Sequence, residues 1–205
     1  MKVLLVNGSL HEKGCTYTAL MEVSKALNAN GVETEIYWIG NQISSGCKGC
    51  WVCKKTGECV IDDGLNDFVR KAEEFDGYVF GSPVYYASAS GGLVSFMDRL
   101  FYSGGKKLAF KPAAAVVSCR RAGASTTFDV INKYFTINNM LVVGSNYWNE
   151  VHGNKAEEVL QDEEGLQTMR ILGNNMAWLL KCIQLGKEAG IEPLRERKIM
   201  TNFIR

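Results

Sequence analysis

Histidine is scarce in this chain, neither sign of charge dominates, and no long apolar run occurs. Lysine and arginine total 23 against 22 aspartates and glutamates, a net charge of +1. That balance gives no general attraction to nucleic acid or to an anionic membrane. It also argues against a strongly acidic electron carrier that docks on basic partners. No stretch approaches the roughly 20 apolar residues that span a bilayer, so no membrane association is expected. The chain runs almost at once into a strand candidate, so no signal peptide is expected. Internal repeats and low-complexity segments are missing too. Neither of the two best-known phosphate loops is present: there is no G-x-x-x-x-G-K-[ST] and no G-x-G-x-x-G. With two histidines, no Ser–His–Asp set is evident. His152, in N-E-V-H-G, reads as a loop anchor. Seven cysteines, an odd number, do not form a secreted disulfide framework, and a reducing cytoplasm is the expected setting.

What is present is an ordinary globular composition, 46% hydrophobic and 22% charged over 205 residues, enough for one domain with a full core. Apolar strand candidates at 2–7, 33–39, 77–81, 113–118 and 140–145 alternate with helical patterns. The helices are expected at 16–30, 65–74, 92–102, 126–138 and 163–188, the last with Leu172, Met176, Leu179 and Ile183 on one face. Five alternations predict an α/β fold, a parallel sheet covered on both sides in three layers. Ligands then bind at the carboxyl ends of the strands, near the switch in strand order. The loops that meet there are 8–18, 82–92 and 118–125. The segment 190–205 reads as a basic C-terminal arm, solvated or crossing to another subunit.

Three segments carry chemistry. The first is N-G-S-L-H-E-K-G-C-T-Y-T at 7–18, between a buried strand and a helix. A helix N-terminus offers free N–H groups and a positive dipole end. Ser9, Thr16 and Thr18 add hydroxyl donors, and Gly8 and Gly14 allow close approach. A phosphate monoester, held and not transferred, suits this loop; a plain βα turn with hydroxyl caps fits the same residues. Cys15 reads as a small packing residue whose N–H does the work. The second is G-S-P-V-Y-Y at 81–86, where Pro83 stiffens the strand end and Val84, Tyr85 and Tyr86 present a surface for a planar heteroaromatic ring; core packing is the other reading. The third is C-x2-C-x2-C-x5-C, Cys47, Cys50, Cys53 and Cys59, within an excursion at 44–63. Four thiolates this close suit a [4Fe–4S] cluster or one tetrahedral Zn2+, and a thiol loop without metal is the third reading. Cys119 and Cys182 are expected in the interior.

Together these segments resemble the NAD(P)H-dependent FMN reductase group of the flavodoxin-like superfamily, and especially its iron–sulfur flavoprotein branch. The matching stretches are V-N-G-S-L-H-E-K-G-C-T-Y-T at 6–18, G-S-P-V-Y-Y at 81–86, S-G-G-L-V-S-F-M-D-R at 90–99, K-P-A-A-A-V-V-S at 111–118 and D-E-E-G at 162–165. The resemblance implies a flavodoxin-like, doubly wound, five-stranded parallel sheet over 1–189. It implies that Ser9, His11, Thr16, Tyr17 and Thr18, with Cys15, hold the FMN phosphate. Pro83, Val84, Tyr85 and Tyr86 line the flavin ring. The segment 118–123, with Ser118, Cys119, Arg120 and Gly123, closes over the ring edge or a neighbouring subunit's flavin. The group's usual Pro and Arg after the loop serine are here Leu10 and His11, so a direct arginine–phosphate pair is lost. The function so implied is NAD(P)H oxidation through FMN, with a small acceptor such as a quinone, free flavin or iron. An electron-transfer flavoprotein passing electrons between FMN and a cluster, fed by ferredoxin, is the second expectation. A non-catalytic regulatory module is the third. A homodimer or homotetramer is expected.

Overall fold

A computed structural model describes residues 1–203, and positions 204 and 205 of the expected basic arm lie outside it. In chain order the elements are β1 (Lys2–Asn7), α1 (Cys15–Ala29), β2 (Glu33–Trp38), α2 (Cys53–Thr56), α3 (Leu65–Lys71), β3 (Gly77–Tyr85), β4 (Ser88–Ala89), α4 (Gly91–Leu108), β5 (Pro112–Cys119), α5 (Ala124–Ile137), β6 (Leu141–Val142), β7 (Glu150–His152), α6 (Ala156–Val159) and α7 (Glu163–Glu188). The strands line up as β2-β1-β3-β5-β6, with β7 also beside β5 and β4 beside β3. Every pairing is parallel except the β3–β4 hairpin. This is the doubly wound flavodoxin-like sheet. Its order reverses between β1 and β3, which puts a crevice at their carboxyl ends.

Side-chain alternation along the strands divides the core in two. Leu4, Val6, Tyr78, Phe80, Ala113 and Ala115 face the layer that holds Phe68 of α3, Phe96 and Leu100 of α4, and Phe135 of α5. Val3, Leu5, Val79, Ala114 and Val116 face the opposite layer, with Leu20 and Val23 of α1 and Leu172 and Met176 of α7. β1, β3 and β5 are buried on both faces, which is why they read as continuous apolar runs and not as alternating ones.

Several boundaries differ from the sequence expectation. The fifth strand is not continuous over 140–145. β6 is two exposed residues pairing with the start of β5, and β7 pairs with its end after a loop. Buried Asn149 makes that detour possible: its Nδ2 donates to the Ala115 carbonyl at 3.0 Å, and its own carbonyl accepts from Val117 N at 2.9 Å. β3 does not stop at Gly81 but continues through Pro83, opposite Ser118, to Tyr85. The helix expected at 65–74 is α3 followed by one 3-10 turn, Ala72–Glu74. On α7 the buried stripe runs through Leu172, Met176 and Leu180, so Cys182, expected inside, is exposed. Cys119 is buried. Among the described residues no helix is long and apolar enough to cross a membrane.

Candidate flavin site and cysteine cavity

The three loops predicted to meet at the sheet's carboxyl edge do meet, joined by hydrogen bonds. Gly8 N donates to Gly81 O at 2.8 Å. The Ser90 hydroxyl donates to Gly8 O at 2.6 Å, and Ser90 N donates to the Ser82 hydroxyl at 3.0 Å. The Thr16 and Ser118 hydroxyls lie 2.9 Å apart, both buried. Leu10 N donates to the Tyr85 phenol oxygen at 3.4 Å. The approach of loop to strand is so close at Gly8 that a Cβ there would stand 2.8 Å from Gly81 O. Only glycine fits.

The first loop is built around Asn7 and Ser9. Asn7 Oδ1 accepts from Ser9 N at 3.1 Å, while Asn7 Nδ2 donates to Glu12 O at 2.9 Å. The Ser9 hydroxyl accepts from His11 N at 3.1 Å and keeps its own hydrogen to give. Helix α1 follows with Gly14 at its N-cap, no capping side chain and no acidic residue in its first turn. A 15-residue helix whose first-turn N–H groups lack a side-chain acceptor is a fitted cradle for an anion. Those N–H groups belong to the turn that carries Cys15, Thr16 and Tyr17. The Thr18 hydroxyl donates back to Gly14 O at 3.2 Å. Thr16 is committed to Ser118, and His11 is exposed. The backbone is thus a larger part of the anion cradle than the hydroxyl count suggests. Cys15 Sγ donates to Gly153 O at 3.5 Å, and burial pushes its thiol pKa up, as burial does for Cys119. Both are held as neutral packing groups.

The second wall is the end of β3. Pro83 and Val84 are half-buried and Tyr85 is at the margin of exposure. Tyr86 is fully exposed on a left-handed backbone, φ 60°. Gly123, at φ 90°, closes the third loop against Val84. A Cβ on it would come within 2.8 Å of Val84 Cγ1. Arg120 is exposed at the mouth of this loop. Three aromatic residues were not singled out from the sequence. Trp38, at the end of β2, donates from Nε1 to Ser9 O at 2.8 Å. Tyr147 and Trp148, in the loop between β6 and β7, meet ring to ring at a tilt of 55° with centroids 5.1 Å apart and remain about half exposed. An aromatic residue closing β2 and an aromatic pair just ahead of β7 were the available signal. The backbone N–H of His152 donates to Asp162 Oδ2 at 2.6 Å, and its ring Nδ1 stands 3.7 Å from the same oxygen.

The cysteine excursion leaves β2 and lies over α3 and α4. Cys47, Cys50, Cys53 and Cys59 line one small cavity of about 30 Å³, beside Trp51 and Arg99. Burial raises the Cys53 thiol pKa, and the nearby Cys47, Cys59 and Cys50 sulfurs add to the shift. Even so, among the described residues no three His, Cys, Asp or Glu side chains stand in ligating geometry. The thiols share a cavity without converging on a point. Arg99, on α4, is nearly fully buried. Its Nη2 is 2.6 Å from Asp63 Oδ2 and its Nη1 3.7 Å from Cys59 Sγ. Burial favours the neutral Asp63, but Arg99 and Ser44 N–H outweigh it and hold the carboxyl below its usual range. Breaking one side of such a buried pair costs about 3–5 kcal/mol. Asp63 Oδ1 and Arg99 Nε have no hydrogen-bond partner among the described residues.

A sheet of this order, an uncapped helix start and an apolar ledge at its switch point define a flavodoxin-type flavoprotein. The chain belongs to the NADPH-dependent FMN reductase family, whose sequence model matches residues 1–155. It is 33% identical over 195 residues to an iron-sulfur flavoprotein of Methanocaldococcus jannaschii, covering 90% of this chain and 100% of that one. It is 30% identical over 196 residues to an iron-sulfur flavoprotein of Methanosarcina thermophila, covering 92% and 100%. Among solved structures, RosB with bound 8-demethyl-8-formylriboflavin-5'-phosphate superposes with a TM-score of 0.72 at 16% identity, covering 100% of this chain and 94% of that one. An archaeal flavodoxin gives 0.62 at 15% identity, covering 88% and 99%. The chain is therefore a flavoprotein oxidoreductase of the flavodoxin-like fold with FMN as its flavin.

Proposed function

We propose that this protein is an FMN-dependent NAD(P)H oxidoreductase that passes reducing equivalents to a small acceptor, a quinone, free flavin or iron. The observation that carries the reading is the open start of α1 beside the ledge formed by Pro83, Val84 and Tyr85. FMN, when bound, supplies hydride acceptance from nicotinamide and electron release to the acceptor. The chain's own residues have simpler tasks. First-turn N–H groups of α1 and the Ser9 hydroxyl hold the phosphate. Val84, Tyr85 and Gly123 support the ring and exclude water from one face. Tyr86, Tyr147 and Trp148, all exposed, offer aromatic surface for a nicotinamide or acceptor. Anaerobic mixing with NADPH and with NADH tests the reading: rapid bleaching of the flavin band by either supports it. A flavin reduced only by ferredoxin or a similar carrier removes it. Tighter binding of FMN than of riboflavin is expected from the helix-start cradle, and equal affinity counts against a phosphate site there.

A second reading rests on a separate observation, the four cysteines in one cavity with a buried arginine. The donor set suits a [4Fe–4S] cluster, and the two relatives quoted above are iron-sulfur flavoproteins. Among the described residues no three of these ligands stand in ligating geometry, so cluster uptake would require the thiols to draw together. Electron exchange between FMN and the cluster, with ferredoxin as partner, would then be the function. Iron and acid-labile sulfide counted in anaerobically purified protein decide it. The thiols, free in all seven cases, suit a reducing cytoplasm. Exposed Tyr86, Trp178 and Leu185, with the arm beyond Gly190, supply surface for the proposed homodimer or homotetramer. A sedimentation profile showing a fully active monomer at assay dilution contradicts that assembly.

A further inference from the structure

We propose that Arg99 is a positioning residue for the cysteine quartet, the fixed cation that sets the reduction potential of a cluster held there. This rests on the cluster reading above. Three observations carry it. Arg99 is 2% exposed and lines the cavity that all four cysteines line. One arm of its guanidinium is anchored by Asp63 at 2.6 Å while the other points to Cys59 Sγ at 3.7 Å. Its Nε, also buried, has no acceptor among the described residues. A buried arginine with an unused donor is unusual, because each such donor is normally paired. The donor already turned to the cysteines is Nη1, and a sulfur-rich anion in the adjacent cavity would engage it.

The geometry links two ends of the excursion to one cation. Asp63 Oδ2 also accepts from Ser44 N at 3.0 Å and from the Ser44 hydroxyl at 3.1 Å. Asp63 therefore ties the entry of the loop to its exit and holds the guanidinium in place on the rigid helix α4. Net charge and hydrogen bonds to the sulfurs are main determinants of cluster potential. A fixed positive charge favours the reduced, more negative cluster, so Arg99 raises the potential. Asp63, by compensating that charge, lowers it.

Opposite signs make the test specific. Protein reconstituted anaerobically with iron and sulfide is titrated, and the cluster and FMN midpoint potentials are read separately by their spectra. In Arg99→Gln the cluster midpoint should fall by at least tenfold in the one-electron equilibrium, about 59 mV. Arg99→Lys, which keeps the charge but not the fork, should recover part of it. Asp63→Asn should raise it. Iron content and FMN potential should stay at the parent's values in the variants that fold. A residue needed only for packing would move neither cluster potential, or both in one direction, and either result overturns the proposal. If Arg99→Gln does not retain iron, Asp63→Asn decides alone, and an unmoved or lowered potential overturns it. A parent that takes up no iron overturns the cluster reading and this proposal together, a result that the iron count separates from a failure of Arg99 alone.

Discussion

At the scale of single residues, the sequence announced some partners and hid others. Gly8, Ser9 and Thr16 were legible as members of a strand–loop–helix turn, because small and hydroxyl residues stand there between an apolar run and a helical stripe. The engagement of Thr16 with Ser118, 102 positions away, was not, because no local pattern encodes a contact across two strands. Trp38 and Arg99 were hidden for the same reason. Their partners, Ser9 O and Asp63, are fixed only once β1, β2 and α4 are in place. The sharpest residue-level expectation concerns Gly8. A Cβ placed 2.8 Å from the Gly81 carbonyl and 2.8 Å from Leu93 Cβ cannot be accommodated by a rotamer change, since both obstacles are close to the backbone. Gly8→Ala should cost about 1–3 kcal/mol of overpacking strain. It should also weaken FMN binding by opening the first loop. Urea unfolding with and without FMN separates the two effects, and an apoprotein as stable as the parent would sink the steric argument.

At the scale of elements, the longest periodic segment was read to its ends, whereas α4, expected at 92–102, runs on to Leu108, and the interrupted fifth strand was misread. α7 was expected at 163–188 and spans Glu163–Glu188, capped by Asp162, whose Oδ1 accepts from Gly165 N at 2.9 Å. The fifth strand was misread because Met140-Leu-Val-Val looks like one apolar run, whereas β5 is paired first by β6 and then, past a loop, by β7. Periodicity cannot reveal that a strand's register is shared between two segments. The packing of α1 on α7 yields a prediction at this scale. Glu22 of α1 accepts from Arg170 of α7 at 2.9 Å and from Lys25 at 3.1 Å. Burial favours the neutral acid, but Arg170 and Lys25 outweigh it, so its pKa is lowered on folding. A depressed carboxyl contributes stability that is complete above its unfolded value, about 4.3, and is lost as pH falls through the folded value below it. Arg170 is about half exposed, so the worth of the link is that of a screened pair, about 0.2–1 kcal/mol. Glu22→Gln should be less stable than the parent by that amount at pH 7. The gap should close as pH drops below about 4. A gap that is constant from pH 7 to pH 3 would show that packing, and not charge, holds α1 to α7.

At the scale of the whole molecule, the two candidate sites sit on different layers. The candidate phosphate loop opens α1, which packs with α7 on one face of the sheet, while Cys59 packs with α3 and α4 on the other. The hydrogen bonds that assemble the flavin loops run through Gly8, Gly81, Ser82, Ser90, Thr16 and Ser118. The excursion is fixed by its own set, with Asp63 bound to Ser44 and Arg99, and Asn66 Oδ1 accepting from Cys59 N at 2.9 Å. Cys50 is exposed and Cys53 half-buried, so serine at either position removes little packing and leaves the sheet edge intact. A variant carrying both Cys50→Ser and Cys53→Ser should therefore bind FMN with the parent's affinity. Anaerobically, NAD(P)H should bleach its flavin at a rate within about twofold of the parent's, a difference of about 0.4 kcal/mol in the barrier. Iron uptake should be lost, and with it transfer to any acceptor that a cluster serves. The decisive measurement is stopped-flow reduction of the two proteins side by side. If the parent's flavin is reduced quickly by NAD(P)H and the variant's is not, the cysteine layer takes part in hydride acceptance, and the separation of the two sites drawn from the packing is wrong.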